Sequence, residues 1–219
     1  MYLTHMALNP QRRSTRTLVE SPQRLHAAVL SSFVPGTANQ GRILWRLDSP
    51  ERKRLDLYIV SPVQPSLEAM ADQAGWPSQP VWRTADYSPL LERLEANQRW
   101  VFRLRANPVR SVRPQEGGRG SRVSLLRVEE QVNWLLTRSA KLGFTVVPGE
   151  HGPNVKVTEV RTEKFRRGGP ESRLVTLGTA AFEGVMDVTD PQRLRQSLVL
   201  GIGSAKGYGC GLMTLARER

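Results

Sequence analysis

Along the first 90 residues, apolar and polar positions alternate between two spacings. Met1 to Leu8 reads as a short strand. Ser21-Pro22 then opens a helix, with Ser as N-cap and Pro at the first helical position, running to about Phe33. Its apolar residues Leu25, Ala28, Val29 and Phe33 fall on one face, as expected for a helix lying on a sheet. Two strand-like runs follow, Ile43 to Leu47 and Leu55 to Val60, joined by the polar turn DSPERKR, which predicts a hairpin. A second helix, capped near Ser66, covers Leu67 to Ala74 and stops at Gly75. The Pro- and Trp-containing stretch after it has room for a last strand. The order is β-α-β-β-α-β.

After a short linker helix, Leu90 to Ala96, the order begins again. Trp100, Phe102 and Leu104 alternate with Val101, Arg103 and Arg105, predicting a strand with one apolar and one Arg-bearing face. Arg113 to Gly120 reads as a Gly-rich loop. Val128, Val132, Leu135, Leu136 and Leu142 mark a helix ending at Gly143, and strands follow at Val155 to Phe165 and Leu174 to Val188 around a basic tip, RRGGPES. A helix opened by Asp190-Pro191 reaches Leu200, and GIGSAKGYGCG leads into a strand from Leu212 to Leu215. Two copies of the order predict an α+β chain of tandem ferredoxin-like (RRM-like, βαββαβ) domains, residues 1–88 and 97–219.

Charge narrows the function. Of 32 basic residues 27 are Arg, set against 20 acidic ones for a net charge of +12, and residues 99 to 127 hold eight arginines against Glu116 alone. A second cluster comprises Lys156, Arg161, Lys164, Arg166, Arg167 and Arg173. Guanidinium forks fit phosphate oxygens and stack on bases, so this balance points to a nucleic acid partner. An Arg-rich proteome is the bland alternative. One cysteine cannot form an internal disulfide, the N-terminus lacks signal-peptide order, and no apolar run reaches bilayer length. The expectation is therefore a cytoplasmic protein with no membrane role.

The glycine series Gly201, Gly203, Gly207, Gly209 and Gly211 follows a helix and precedes a strand, the reverse of a dinucleotide fingerprint, and no Gly-Lys-Ser/Thr completes a Walker loop. Such a chain lets backbone N–H groups approach phosphates, with Ser204 and Lys206 within it. Three histidines are available for proton transfer. His5 lies in a strand and reads as structural, and His151 reads as a solvated loop residue. His26 sits at the edge of the first helix's apolar stripe, where an imidazole with an ordinary pKa near 6.5 is half accessible. No ligand spacing for a metal is present, so no cofactor is expected. Cys210 reads as a small packed residue, Trp100 and Trp134 as core, and no tryptophan is assigned to a site.

The segments MYLTHMAL, QRLHAAVLSSF, FRLRANPVRSV, RVEEQVNWLL, FEGVMDV and GIGSAKGYGCGLMTLA, in this order over nearly the whole chain, resemble the CasE family of CRISPR RNA endoribonucleases in the Cascade complex. The resemblance implies two ferredoxin-like domains that bind the stem-loop of a CRISPR repeat transcript and cut once at the base of the stem without a metal. It also implies retention of the product as a Cascade subunit. The family's helix histidine maps to His26. Many relatives carry a tyrosine three residues earlier, where this chain has Gln23, with Arg24 beside it as a candidate for the second catalytic role. The family's basic hairpin maps to Lys156 to Arg167 and its glycine-rich loop to Gly201 to Gly211. The RNA-binding residues expected on both grounds are Arg103, Arg105, Lys156, Arg161, Lys164, Arg166, Arg167, Gly201, Gly203, Ser204, Lys206, Gly207 and Gly209.

Cleavage without a metal uses the substrate's own 2′-OH as an in-line nucleophile, leaving a 2′,3′-cyclic phosphate and a 5′-hydroxyl. His26 would serve as base or acid. Two rivals remain at this stage: a non-catalytic RNA hairpin-binding subunit in which His26 is structural, and a basic protein that binds nucleic acid without hairpin preference.

Overall fold

In the computed structural model the described residues are 1–51, 53–77, 82–112, 120–166 and 174–218. The elements are β1 (Tyr2–Leu8), α1 (Arg13–Val19), α2 (Pro22–Ser31), α3 (Thr37–Gln40), β2 (Leu44–Glu51), β3 (Arg54–Ser61), α4 (Glu68–Ala74), β4 (Trp82–Asp86) and α5 (Ser88–Glu92). The second half continues with β5 (Arg99–Ala106), β6 (Val109–Val112), β7 (Ser121–Ser124), α6 (Val128–Leu142), β8 (Phe144–Val146), β9 (Pro148–Gly149) and β10 (Gly152–Pro153). It closes with β11 (Val155–Arg166), β12 (Leu174–Val188), α7 (Pro191–Leu200), a 3-10 turn (Lys206–Tyr208) and β13 (Met213–Ala216).

The first sheet has the antiparallel order β2-β3-β1-β4 and the second β11-β12-β5-β13, with β8 pairing the far end of β12. In both, the first strand of the half lies between the third and the fourth, and the second strand takes the outer edge beside the third. This is the ferredoxin-like sheet order twice over, and the tandem fold expected from the pattern is the one present.

Each predicted helix has a visible cause. In α2, Pro22 occupies the first helical position and Leu25 and Val29 are buried against the sheet. Ser21 makes no capping bond through its side chain, contrary to its expected role, whereas Asp190 does cap α7 by accepting from the Arg193 N–H at 3.0 Å. For α4 the N-cap is Leu67 in place of Ser66, again without a side-chain bond.

Helix α1 was not expected, because RSTRTLV carries no apolar stripe. It docks by polar contacts instead: Thr15 is fully buried and donates to the Ala74 carbonyl, while Arg12 and Ser14 donate to the Asp72 and Gln73 carbonyls at the end of α4.

One face of the first sheet packs on α2 and α4 through Met6, Leu8, Leu25, Val29, Trp45, Leu57 and Ile59. Its other face, through Leu44 and Val60, joins Tyr87, Leu91 and Leu94 and the core of the second half around Phe102, Trp134, Phe182 and Leu198. The linker is pinned as well. Arg195 on α7 donates to the carbonyls of Leu91, Glu92 and Leu94. The two halves are therefore packed together over an apolar surface, and elements from both reach one site.

Among the described residues no helix is long and apolar enough to cross a membrane. The loop expected at Arg113 to Gly120 lies outside the described residues apart from Gly120, and it is flanked by an antiparallel pair, β6 and β7, that the sequence did not announce. The tip RRGGPES lies outside them beyond Arg166.

Candidate active site

Helix α2, strand β2 and the glycine-rich segment after α7 meet around His26, and the end of β11 lies beside α2 and that segment. On α2, residue 26 follows the buried Leu25 by one position, which sets the imidazole at the margin of the apolar stripe, half-buried. Gln23 is three residues earlier and shares that face, whereas Arg24, two residues earlier, does not. Arg24 turns toward α1, donating to Glu20 at 3.2 Å and to the Thr17 carbonyl at 3.3 Å. Both residues border a cleft whose far wall is Lys164, Phe165 and Arg166 of β11.

From β2, the indole N–H of Trp45 donates to Nδ1 of His26 at 3.2 Å, the two rings lying 24° from parallel. Trp45 is 2% exposed, held within the core of the first half. Removal from water lowers the His26 pKa below 6.5, so the ring is uncharged at neutral pH.

The glycine-rich segment closes over this pair. Its 3-10 turn lies between Ala205 and Gly209, both in the left-handed region. At Gly207 a Cβ would stand 3.3 Å from Nε2 of His26. At Gly209 two demands coincide, a φ of +77° and a Cβ position 2.6 Å from the Trp45 ring, so only glycine fits without moving the indole. Tyr208 turns the other way and packs on Phe165 of β11 with ring centroids 4.8 Å apart. One short turn thus touches the histidine, its indole partner and the basic strand.

The rest of the segment is spent on internal packing. Gly201 lies against Leu44, Gly203 lies against the Trp134 ring, and Ser204 donates to Oδ1 of Asn107 at 2.8 Å. Lys206 immediately precedes Gly207; burial, and secondarily the nearby Arg42, pull its ammonium below the ordinary lysine value. Two cations close enough to repel each other favour an anion near them.

The basic residues divide sharply. Lys156, Arg161, Lys164 and Arg166 are exposed on β11, the outer strand of the second sheet, although Lys156 lies 3.6 Å from Glu183 and Arg161 pairs with Glu159. Arg167 lies outside the described residues. The Arg-bearing face of β5 is not an open face. Arg105 is 5% exposed and bonds Glu163 at 2.6 Å, and Arg103 bonds Glu183 and lies 3.3 Å from Asp48. The alternation was correct, but that side of β5 faces acidic partners on β2, β11 and β12 instead of solvent.

The remaining candidates fall where their patterns placed them. His5 bonds Asp56 at 2.8 Å, His151 is exposed in a turn, and Trp134 is core. Cys210 is fully buried, and burial pushes its thiol up to about 12, far from a nucleophile's range. Among the described residues no three His, Cys, Asp or Glu side chains are grouped to hold a metal. Trp45, Phe165 and Tyr208 were missed by the sequence reading. An aromatic in an alternating strand reads as core, and Trp45 is core on one side and a hydrogen-bond partner on its edge.

Comparison with known proteins gives a consistent picture. A family model described as CRISPR associated protein matches residues 1–217. CRISPR-associated endoribonuclease Cse3 of Thermus thermophilus is 30% identical over 99% of this chain and all of the relative. The CRISPR system Cascade subunit CasE of Escherichia coli K12 is 34% identical over 52% of this chain and 56% of the relative. A solved structure of the CRISPR endoribonuclease Cse3 bound to 19 nt RNA superimposes with a TM-score of 0.81, at 30% identity, covering 99% of this chain and 100% of that one.

Proposed function

The chain belongs to the CRISPR-associated protein family, of the CasE type, and from that membership we propose that it is a metal-independent endoribonuclease that matures CRISPR RNA. It binds the stem-loop of the repeat, cuts once at the base of the stem and stays on its product as a Cascade subunit. RNA processing of this kind is supported by the full-length likeness to an endoribonuclease and by the RNA-bound structure that the chain superimposes on. The observation that carries the chemistry is that the glycine-rich turn meets His26 of α2 through Gly207 and the basic edge strand through Tyr208, while that strand and α2 line one cleft, so elements from both halves of the chain come together. In this reading residues 1–88 and 97–219 are two domains that contribute jointly to one site.

The reaction follows from what the site holds. The 2′-oxygen of the nucleotide before the cut attacks the adjacent phosphorus in line, the P–O5′ bond breaks, and the products carry a 2′,3′-cyclic phosphate and a 5′-hydroxyl. A side chain positioned to donate a hydrogen bond or a proton at the reacting phosphate contributes about 10² to 10⁴-fold, and His26 is the group placed for it. Lys206, with Arg42 near it, counters the charge that builds on the phosphate. Lys164 and Arg166 border the cleft and bind the backbone of the stem, with Lys156 and Arg161 farther along the same strand. Arg24 takes a supporting place at the cleft margin, and Arg103 and Arg105 shape the sheet beneath.

Selectivity for a hairpin is the test of this reading against a general nucleic acid binder. A repeat hairpin should bind tightly, with affinity falling steeply as salt rises, and be cut at one position. An RNA of the same length with the stem scrambled should bind weakly and stay whole. Equal affinity for both, measured by mobility shift and a sequencing gel, would replace the proposal with non-selective binding.

A further inference from the structure

The contact between Trp45 and His26 decides which nitrogen of the imidazole carries the proton. An indole N–H only donates, so the Nδ1 it approaches at 3.2 Å must be an unprotonated acceptor. A neutral imidazole has one N–H, and with Nδ1 bare that hydrogen sits on Nε2. Nε2 is the atom facing Gly207 of the glycine-rich turn. The indole is itself closely packed. It is almost wholly buried, and the Cα of Gly209 lies so close to its ring that a methyl group there would collide with it.

We propose that Trp45 is a positioning residue for His26, fixing the ring orientation and the Nε2–H tautomer. The proposal rests on the nuclease reading and refines it by assigning the histidine's direction of action. Held this way, the neutral His26 ring donates a hydrogen bond from Nε2 to the departing 5′-oxygen or to a non-bridging oxygen of the phosphate and keeps its proton, whose loss would leave an imidazolate. It cannot take the 2′-OH proton at Nε2 while the indole occupies Nδ1. The histidine then works by hydrogen bonding on the phosphate and leaving-group side, and the 2′-OH proton passes by way of water or a phosphate oxygen of the RNA to the departing 5′-oxygen, which leaves as the 5′-hydroxyl.

The test has two arms. In the wild-type protein without RNA, long-range proton–nitrogen correlation spectra of the histidine side chains, assigned with His26→Ala, should show an unprotonated Nδ1 and a protonated Nε2 at neutral pH. A protonated Nδ1 would overturn the proposal, whatever the enzyme does to RNA. In the second arm Trp45→Phe keeps an aromatic ring against Gly209 but removes the N–H. The variant should give a mixture of tautomers and a single-turnover cleavage rate about tenfold lower, with unchanged affinity for a 2′-deoxy hairpin. A Trp45→Phe protein whose tautomer and cleavage rate both match wild type would equally overturn it. If the wild-type enzyme shows the Nε2–H tautomer but cuts no RNA, the nuclease reading fails and the positioning role of Trp45 stands.

Discussion

His26→Ala lowers the single-turnover cleavage of a repeat hairpin by about 10² to 10⁴-fold, the range for loss of one group positioned to donate a hydrogen bond or a proton at the reacting phosphate, and leaves hairpin affinity unchanged. The two halves of this expectation have separate causes. Cleavage falls because among the described residues His26 is the one histidine against the glycine-rich turn, on the helix that lines the basic cleft, and alanine has no N–H to offer the phosphate. Affinity holds because burial keeps the imidazole uncharged at neutral pH, so it supplies no cation to the RNA. Binding depends on the exposed cations of β11, which the substitution does not touch. Cleavage rate and mobility shift, measured on the same preparation, separate the outcomes. Cleavage at the wild-type rate would make His26 structural, as in the rival reading of a non-catalytic RNA-binding subunit. Joint loss of binding and cleavage would place it in the fold.

The second large effect lies in the contact between the halves. Arg46 on β2 is 1% exposed, and its guanidinium holds Asp48 with bonds of 2.9 to 3.1 Å. It also donates to the Arg103 carbonyl at 2.7 Å, the Leu212 carbonyl at 3.2 Å and the Thr214 hydroxyl at 2.9 Å, all in the second half, while lying over the Tyr58 ring. Arg46→Met keeps much of the volume but strands the Asp48 carboxylate and two carbonyls. Removing one member of a buried ion pair costs about 3 to 5 kcal/mol, which for a chain of this size lowers Tm by roughly 10 °C. Arg103, 3.3 Å from Asp48, offsets part of the loss. Thermal unfolding of the variant measures it, and a change under about 1 kcal/mol, the range of an exposed ion pair, would show that Arg46 does not join the halves.

Most of the architecture was legible because it rests on periodicity. Leu25, Val29 and Phe33 recur at helical spacing and do face the sheet, and the strand runs from Ile43 and Leu55 pair as a hairpin. Recognising the same order twice gave both sheets. Helix α1 escaped because hydrogen bonds to the end of α4, and not an apolar stripe, hold it in place, and such bonds leave no periodic trace. The arginines of β5 misled for a related reason. Alternation tells which residues share a face, but not that Asp48, Glu163 and Glu183 from other strands cover that face.

His26 was visible from its place at the stripe's edge. Its partner was not, because Trp45 lies 19 residues away on a strand and only the sheet brings them together. The glycines showed the same division. Their number pointed to a close approach by something, and the structure shows that part of what they approach is the protein's own Trp45, His26 and Leu44.

The identity of the nucleophile is the central feature of the proposed chemistry. The purified protein, in EDTA, is incubated with a repeat hairpin RNA and with the same RNA carrying a single 2′-deoxy nucleotide immediately 5′ of the cut. The expected result is one cleavage in the first, ending in a cyclic phosphate, and an intact second RNA that binds with equal affinity. Cleavage of the 2′-deoxy RNA, or a requirement for added divalent metal with the unmodified one, would contradict the proposed chemistry.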